Sequence, residues 1–208
     1  MEFISVSSSS LGEFGSLSPE LWIASQLASN VKEGTPLSDI VKISSETRKP
    51  NDQQAIILDT GSANNGLLNI KIHEVGSKKR TSTKKVFYEG DIIISRLRPY
   101  LRQVAYIPKG TFKLLNVSAG YCSTEFYVLR SINNSNIAFL VKWLLSREVQ
   151  KMIGGAATGG HHPRFDKTLI INSNVPLKYQ NKKSSEVIST VALEYLRNQI
   201  SMKTHLNS

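Results

Sequence analysis

The sequence holds a single cysteine, Cys122, in 208 residues. A lone thiol closes no internal disulfide, so a reducing, cytoplasmic setting is expected. No apolar run approaches the roughly 20 residues that span a bilayer, and no membrane partner is expected. The opening MEFISVSSSS lacks the basic start and apolar core of a secretory leader, so none is expected. Histidine is scarce, and the adjacent pair His161 and His162 would point to opposite sides of an extended chain. That is a poor ligand pair for one ion, so neither a metal nor any other cofactor is expected. Signatures of catalysis are missing too. There is no glycine loop ending in Lys-Ser/Thr, no Gly-x-Ser-x-Gly elbow, and no NPPY or DPPY tetrapeptide to hold a flipped adenine. A binding module fits better than an enzyme; the competing enzyme reading is a nuclease using His161 or His162.

Acidic residues are in short supply. There are 26 Lys and Arg against 16 Asp and Glu, a formal charge of +10. The excess is concentrated: between Lys71 and Lys113 stand 11 cations and three acids, Glu74, Glu89 and Asp91. A concentrated basic field favours a polyanion such as DNA, RNA or an anionic surface. The plainer reading is a lysine-rich solvated surface.

A strand is expected near Phe3–Ser7, and LSPELWIASQLASN predicts a first helix over 19–29. Ser18 would cap it, Pro19 suits its first position, and Leu21, Ala24, Leu27 and Ala28 would form its apolar stripe. Short β-branched and aromatic segments follow: IVKIS, AIILDT, NIKIHEV, VFYEGDIIIS, QVAYIP, FKLLNVSA and STEFYVLR. They predict six to eight mostly antiparallel strands. NSNIAFLVKWLLSREVQKMIGG predicts one helix, capped at Asn134 or Ser135, stopped by Gly154-Gly155 and packed on the sheet. ATGGHHPRFDKTLIINSNVPL predicts a loop, a turn and a last strand. After the polar QNKK, an amphipathic helix of about 20 residues is expected from a cap at Ser184. Its stripe includes Ile188, Val191, Tyr195, Leu196 and Ile200, which either fold back on the domain or face a partner helix. The expected organisation is a recognition domain over 1–180 and a spacer or dimerisation helix over 181–208.

Three segments are candidates for polyanion contact. In ISRLRPYLR, Arg96, Arg98 and Arg102 crowd a proline break between two strands, with Tyr100 among them. Arginines there can fork onto phosphates or guanine edges; the alternative is ion pairing with Glu89 or Asp91. In SKKRTSTKK, the five cations Lys78, Lys79, Arg80, Lys84 and Lys85 stand with four hydroxyls, which suits phosphate contacts that position without reading sequence; the alternative is a solvated hairpin tip. In ATGGHHPRF, Thr158, Gly159, Gly160, His161, His162 and Arg164 form a loop whose glycines let backbone N–H groups approach an anion closely.

These pieces, taken in order, resemble the target recognition domains of type I restriction-modification specificity subunits. In that family a GD-(I/L)-(L/I)…(K/R)-L-R-P-Y-L strand pair precedes STEF-x-V-L-R. A helix of the yl…lls type comes next, then a G-(S/A)-T-G-G-x-H-P-R loop. Here the pattern lies at Gly90–Val104, Ser123–Arg130, Ala138–Ser146 and Ala157–Arg164, within a resemblance spanning roughly Leu37 to Leu177. The resemblance implies an α+β fold: a twisted, mostly antiparallel β-sheet with packed helices, followed by a C-terminal helix. It implies a non-catalytic subunit that reads one half of a bipartite double-stranded DNA target. That subunit presents the DNA to a separate adenine methyltransferase subunit and a motor-nuclease subunit. Family members usually carry two recognition domains and two long helices, whereas one of each is expected here. The chain would then be a half-subunit that pairs with itself or with a second recognition chain, a degenerate fragment, or part of a related phage-defence or modification system. The alternative is a recognition fold that serves as a protein-interaction scaffold without reading DNA.

Overall fold

The computed structural model describes residues 33–50, 54–70 and 82–206. The strand expected near Phe3–Ser7, the helix expected over 19–29, most of NIKIHEV, and Lys78, Lys79 and Arg80 lie outside the described residues. The strands run in chain order β1 (Thr35–Pro36), β2 (Val41–Ser44), β3 (Thr47–Arg48), β4 (Ala55–Leu58), β5 (Ala63–Asn64), β6 (Leu67–Leu68), β7 (Lys84–Phe87), β8 (Ile92–Ser95), β9 (Val104–Tyr106), β10 (Ala119–Cys122), β11 (Phe126–Ser131) and β12 (Asn174–Val175). The helices are α1 (Leu37–Ile40), α2 (Thr111–Leu115), α3 (Leu140–Leu144), α4 (Arg147–Gly155), α5 (Thr168–Ile171) and α6 (Lys182–Leu206).

The class is α+β and the pairing mostly antiparallel, as expected, but the β-region is two four-stranded sheets rather than one. One sheet has the order β2-β11-β8-β9 and the other β3-β7-β10-β4, with β10 and β4 parallel. The two-residue side-chain period of a strand explains the layering. In β8, Ile92 and Ile94 join a core with the helices, while Ile93 faces the second sheet. In β11 the same split separates Tyr127 and Leu129 from Phe126 and Val128. The first sheet is thus buried on both faces, between a helical layer holding Trp143, Met152 and Phe165 and the second sheet's Ile56, Leu58 and Phe87. Each such fully buried aliphatic contributes about 1.5–3 kcal/mol relative to an exposed one. Cys122 is fully buried between the sheets, and burial pushes its thiol up to about 12.

Four local expectations differ from the structure. The helix expected from 134 to 154 is broken. Ser146 turns extended and accepts a hydrogen bond from Val149 N, capping a new helix, while Arg102 and Gln150 donate to the freed carbonyls of Leu145 and Leu144. Its start is also later: α3 begins at Leu140 with no side-chain cap, neither Asn134 nor Ser135 caps it, and Asn136 Oδ1 accepts from Ala138 N in the turn before it. FKLLNVSA begins as α2, because the Thr111 hydroxyl bonds Pro108 O and the Glu89 carboxylate accepts from Phe112 N. Helix α6 starts earlier than expected and has 25 residues, because Asn181 Oδ1, not Ser184, accepts the first N–H groups, from Lys183 and Ser184.

One face of α6 is committed to the domain. Ala192 and Leu196 are buried, Ile188 and Ile200 pack beside them, and the Gln199 side chain bonds Ile70 N and Leu68 O as a neighbouring strand would. The stripe expected to face a partner therefore divides. Ile188, Leu196 and Ile200 fold back, while Val191 and Tyr195 are exposed together with Val187 and Met202. Among the described residues, no helix is long and apolar enough to cross a membrane.

Candidate nucleic-acid interface

Strands β8 and β9 form the ribbon that carries the arginine tip, in the register Ile92↔Tyr106, Ile93↔Ala105 and Ile94↔Val104. Strand geometry ends at Ser95. The buried Ser95 hydroxyl donates to Leu97 O and accepts from Leu97 N, which turns the chain. Arg98 and Arg102 then take left-handed backbone conformations, φ 48° and 52°, on either side of a 3-10 turn at Pro99–Leu101. The turn, rather than strand alternation, thus places Arg98 and Arg102. Non-glycine residues rarely adopt this conformation without compensating contacts, and both have them. Arg98 N donates to Pro163 O at 2.8 Å. Arg102 donates to Asn65 Oδ1 at 3.1 Å and to Leu145 O at 2.7 Å, tying the turn to the end of α3. Tyr100 is 64% exposed at the tip, beside the exposed Leu101.

The TGGHHPR segment is a closed loop pinned against that tip. Thr158 N donates to Arg164 O and Arg164 N to Thr158 O, so the five residues between them project as a unit. Gly159 has φ +107°, a conformation a side chain rarely adopts, and an added Cβ would lie 3.3 Å from His162 O. Leu97 bridges Arg164 in antiparallel fashion, and Phe165 N donates to Arg96 O. Below the loop, Phe165 is buried, its carbonyl accepting from the Tyr127 hydroxyl and its ring 5.5 Å edge-on from that of Tyr127. Arg98 Nη2 lies 3.2 Å from His162 Nδ1. A guanidinium only donates, so in this contact Nδ1 is the acceptor.

Glu125, from the turn between β10 and β11, joins the two segments. Its carboxylate accepts from Arg164 Nε and Nη2, at 3.0 and 2.9 Å, and from Arg96 Nε at 3.0 Å, while its carbonyl accepts from Arg96 N. The Arg164 fork, with help from Arg96, holds the Glu125 carboxyl down to about 2. The arginines of the tip are therefore braces as well as cations. The counter-charge shown for Arg96 is Glu125 and not, as the alternative had it, Glu89 or Asp91. Glu89 caps α2, and the buried Asp91 pairs with Arg130 at 2.9 Å on the far end of the ribbon.

The lysines expected to reach the polyanion are placed differently from one another. Lys85 is half-buried: its ammonium bonds Phe126 O and lies 5.3 Å from the centre of the Tyr127 ring. Desolvation, together with nearby Arg96 and Lys167, lowers its pKa, so it braces the sheets rather than extending outward. Lys84 Nζ donates to the Ser82 hydroxyl at 2.8 Å. Thr158, Gly159, Gly160, His161, His162 and Arg164 are all exposed on the same projection. Sequence reasoning missed Glu125, Asn65 and the exposed Lys167. Glu125 lies within the STEF motif, and that position was the available signal.

No family model and no curated protein sequence matches the chain. Its fold is shared with a chain from a solved structure described as the structural basis of complex assembly and conformational transition of the type I R-M system. The TM-score is 0.53 and the identity 21%, and the likeness covers 83% of this chain. It spans 43% of the other chain's length.

Proposed function

We propose that this chain binds double-stranded DNA sequence-specifically as a recognition subunit of a type I restriction-modification or related DNA-modification system. It would present its site to a separate adenine methyltransferase subunit, with a motor-nuclease subunit as a further partner, and would carry out no chemistry itself. The observation that carries this reading is the brace. A short exposed loop, Thr158–His162, is held by two strained or charged contacts and projects beside an exposed aromatic, Tyr100. A loop that presents polar edges from a rigid scaffold is what base-edge reading requires, with Arg98, Arg102, Lys84, Lys167 and the 78–80 cations suited to flanking phosphates. The shared fold supports the same reading. Pairing with a second copy or a second recognition chain would use Val187, Val191 and Tyr195, the exposed side of α6.

Selection from a random duplex pool, followed by titration over a salt series, tests the proposal. Enrichment of one sequence, with affinity falling steeply as salt rises, is expected. Co-purification with a methyltransferase and mapping of methylated adenines then identifies the target. No duplex binding, with or without a methyltransferase, would refute it.

A further inference from the structure

A surface that holds DNA needs cations free to face its phosphates, and most guanidinium groups of the tip are already engaged. Arg96 and Arg164 share Glu125, Arg102 holds Asn65 and the Leu145 carbonyl, and Arg98 contacts His162. Helix α4 carries two cations that are not. Arg147 and Lys151 are exposed, and among the described residues neither side chain has a salt bridge or hydrogen bond. Four positions apart, they stand on one helix face, separated by about 6 Å along the axis.

That face adjoins the projecting loop. Helix α4 runs straight into it: Ala156 N donates to Met152 O and Ala157 N to Gly154 O, and the bracing pair of Thr158 and Arg164 follows at once. At the other end Arg102 ties the tip to Leu145 O, two residues before the helix, and the 3-10 turn Pro99–Leu101 packs on α4. At 3.6 residues per turn, positions 147, 151, 154 and 155 fall within an arc of about 100°. Gly154 and Gly155 therefore continue the cationic face toward the loop, and both are exposed. Neither has a positive φ, and a Cβ at either would meet nothing within 4 Å. Glycine weakens a helix relative to alanine, and no contact within the described residues requires it at these two positions. What the bare backbone does permit is close approach by another molecule. Glu148 stands at the edge of the arc and lines a small cavity together with Lys178. Arg147, Lys151 and Lys178 outweigh that one acid.

We propose that this face of α4 is a phosphate track. The sugar-phosphate backbone of the bound duplex lies along Gly154 and Gly155, and Lys151 and Arg147 each hold a phosphate beyond the stretch met by the Thr158–His162 loop. The track rests on the DNA-binding reading and extends it to a helix that the loop and tip leave unused. Contacts of this kind position a protein without reading sequence, so α4 fixes the register in which the loop meets the bases.

Anisotropy titrations of the full chain against the selected duplex and a scrambled one, each over a salt series, test it. Arg147→Gln combined with Lys151→Gln should weaken both duplexes by a similar factor. The same pair should lower the log–log salt slope by about 1.8, since each phosphate contact contributes about 0.9. Gly154→Leu combined with Gly155→Leu should weaken both duplexes several-fold while the melting temperature holds or rises, because leucine is the better helix former. Undiminished duplex binding in both double variants, with the salt slope unchanged, would overturn the track and leave the DNA-binding reading standing. Loss confined to the selected duplex would make these residues base readers. Loss of methyltransferase co-purification with duplex binding intact would assign the face to a protein partner. Either result overturns the proposal. If the unaltered chain binds no duplex, the DNA-binding reading falls and the track with it.

Discussion

Glu125→Gln is the substitution that isolates the brace. It keeps the shape and one acceptor oxygen of the side chain but removes the charge shared by Arg96 and Arg164. The carboxyl is held at about 2 against an ordinary 4.5. Taken at face value, a depression of that size corresponds to about 3 kcal/mol. Arg96 is 38% and Arg164 43% exposed, so water screens the cluster. The expected destabilisation is therefore about 1–2 kcal/mol. For a domain of this size that lowers the melting temperature by about 2–8 °C. The pH dependence follows from the sign of the shift. A folded-state pKa below the unfolded one adds stability that is complete above about 4.5 and lost as pH falls toward about 2. The gap in melting temperature between the wild type and Glu125→Gln should be widest near neutrality and close across that window. Melts by circular dichroism from pH 7 downward give the readout. In binding assays the released guanidiniums should steepen the salt slope by about 1–2 units, since each phosphate contact contributes about 0.9. Discrimination between the selected and scrambled duplexes should fall. A gap that is absent or independent of pH, with discrimination intact, would refute the brace.

Gly159→Ala should strain the loop by about 1–3 kcal/mol at its positive φ and weaken binding to the selected duplex, measured by anisotropy alongside calorimetry. Arg130→Ala leaves the buried Asp91 unpaired and should cost about 3–5 kcal/mol, read by urea unfolding. Burial already pushes the Asp91 carboxyl up, so the loss should shrink as pH falls and the group protonates; sequence preference should not change while the protein is folded. Val191→Asp with Tyr195→Asp should leave the melting temperature nearly unchanged, because both side chains are exposed, yet abolish any self-association seen by sedimentation.

Much of the scaffold was legible because it depends on local period. IIIS and FYVLRS read as strands, and their alternation determines which side chain meets which layer. The glycines of ATGGHHPRF marked a loop that needs one left-handed backbone. What could not be read was non-local. One continuous apolar run encodes two helices because Arg102, more than 40 residues away, takes the carbonyl at the break. Lys85 looked like a surface cation, but the Phe126 carbonyl and the Tyr127 ring that hold it arrive from another sheet. Arg96 and Arg164 looked like ligands for phosphate because Glu125, the partner they share, sits 29 and 39 positions away along the chain.

The brace has a consequence for how new specificities could arise. The projecting loop is short, and an exchange of Thr158–His162 alone between two chains looks simple. Yet its conformation is written partly in Arg96 and Arg98 on one segment and Glu125 on another. A graft limited to the loop would land on an unmatched foundation. The transplantable cassette instead runs from Ile92 through Phe165, strand ribbon, hub carboxylate and loop together, so that each swap carries its own supports.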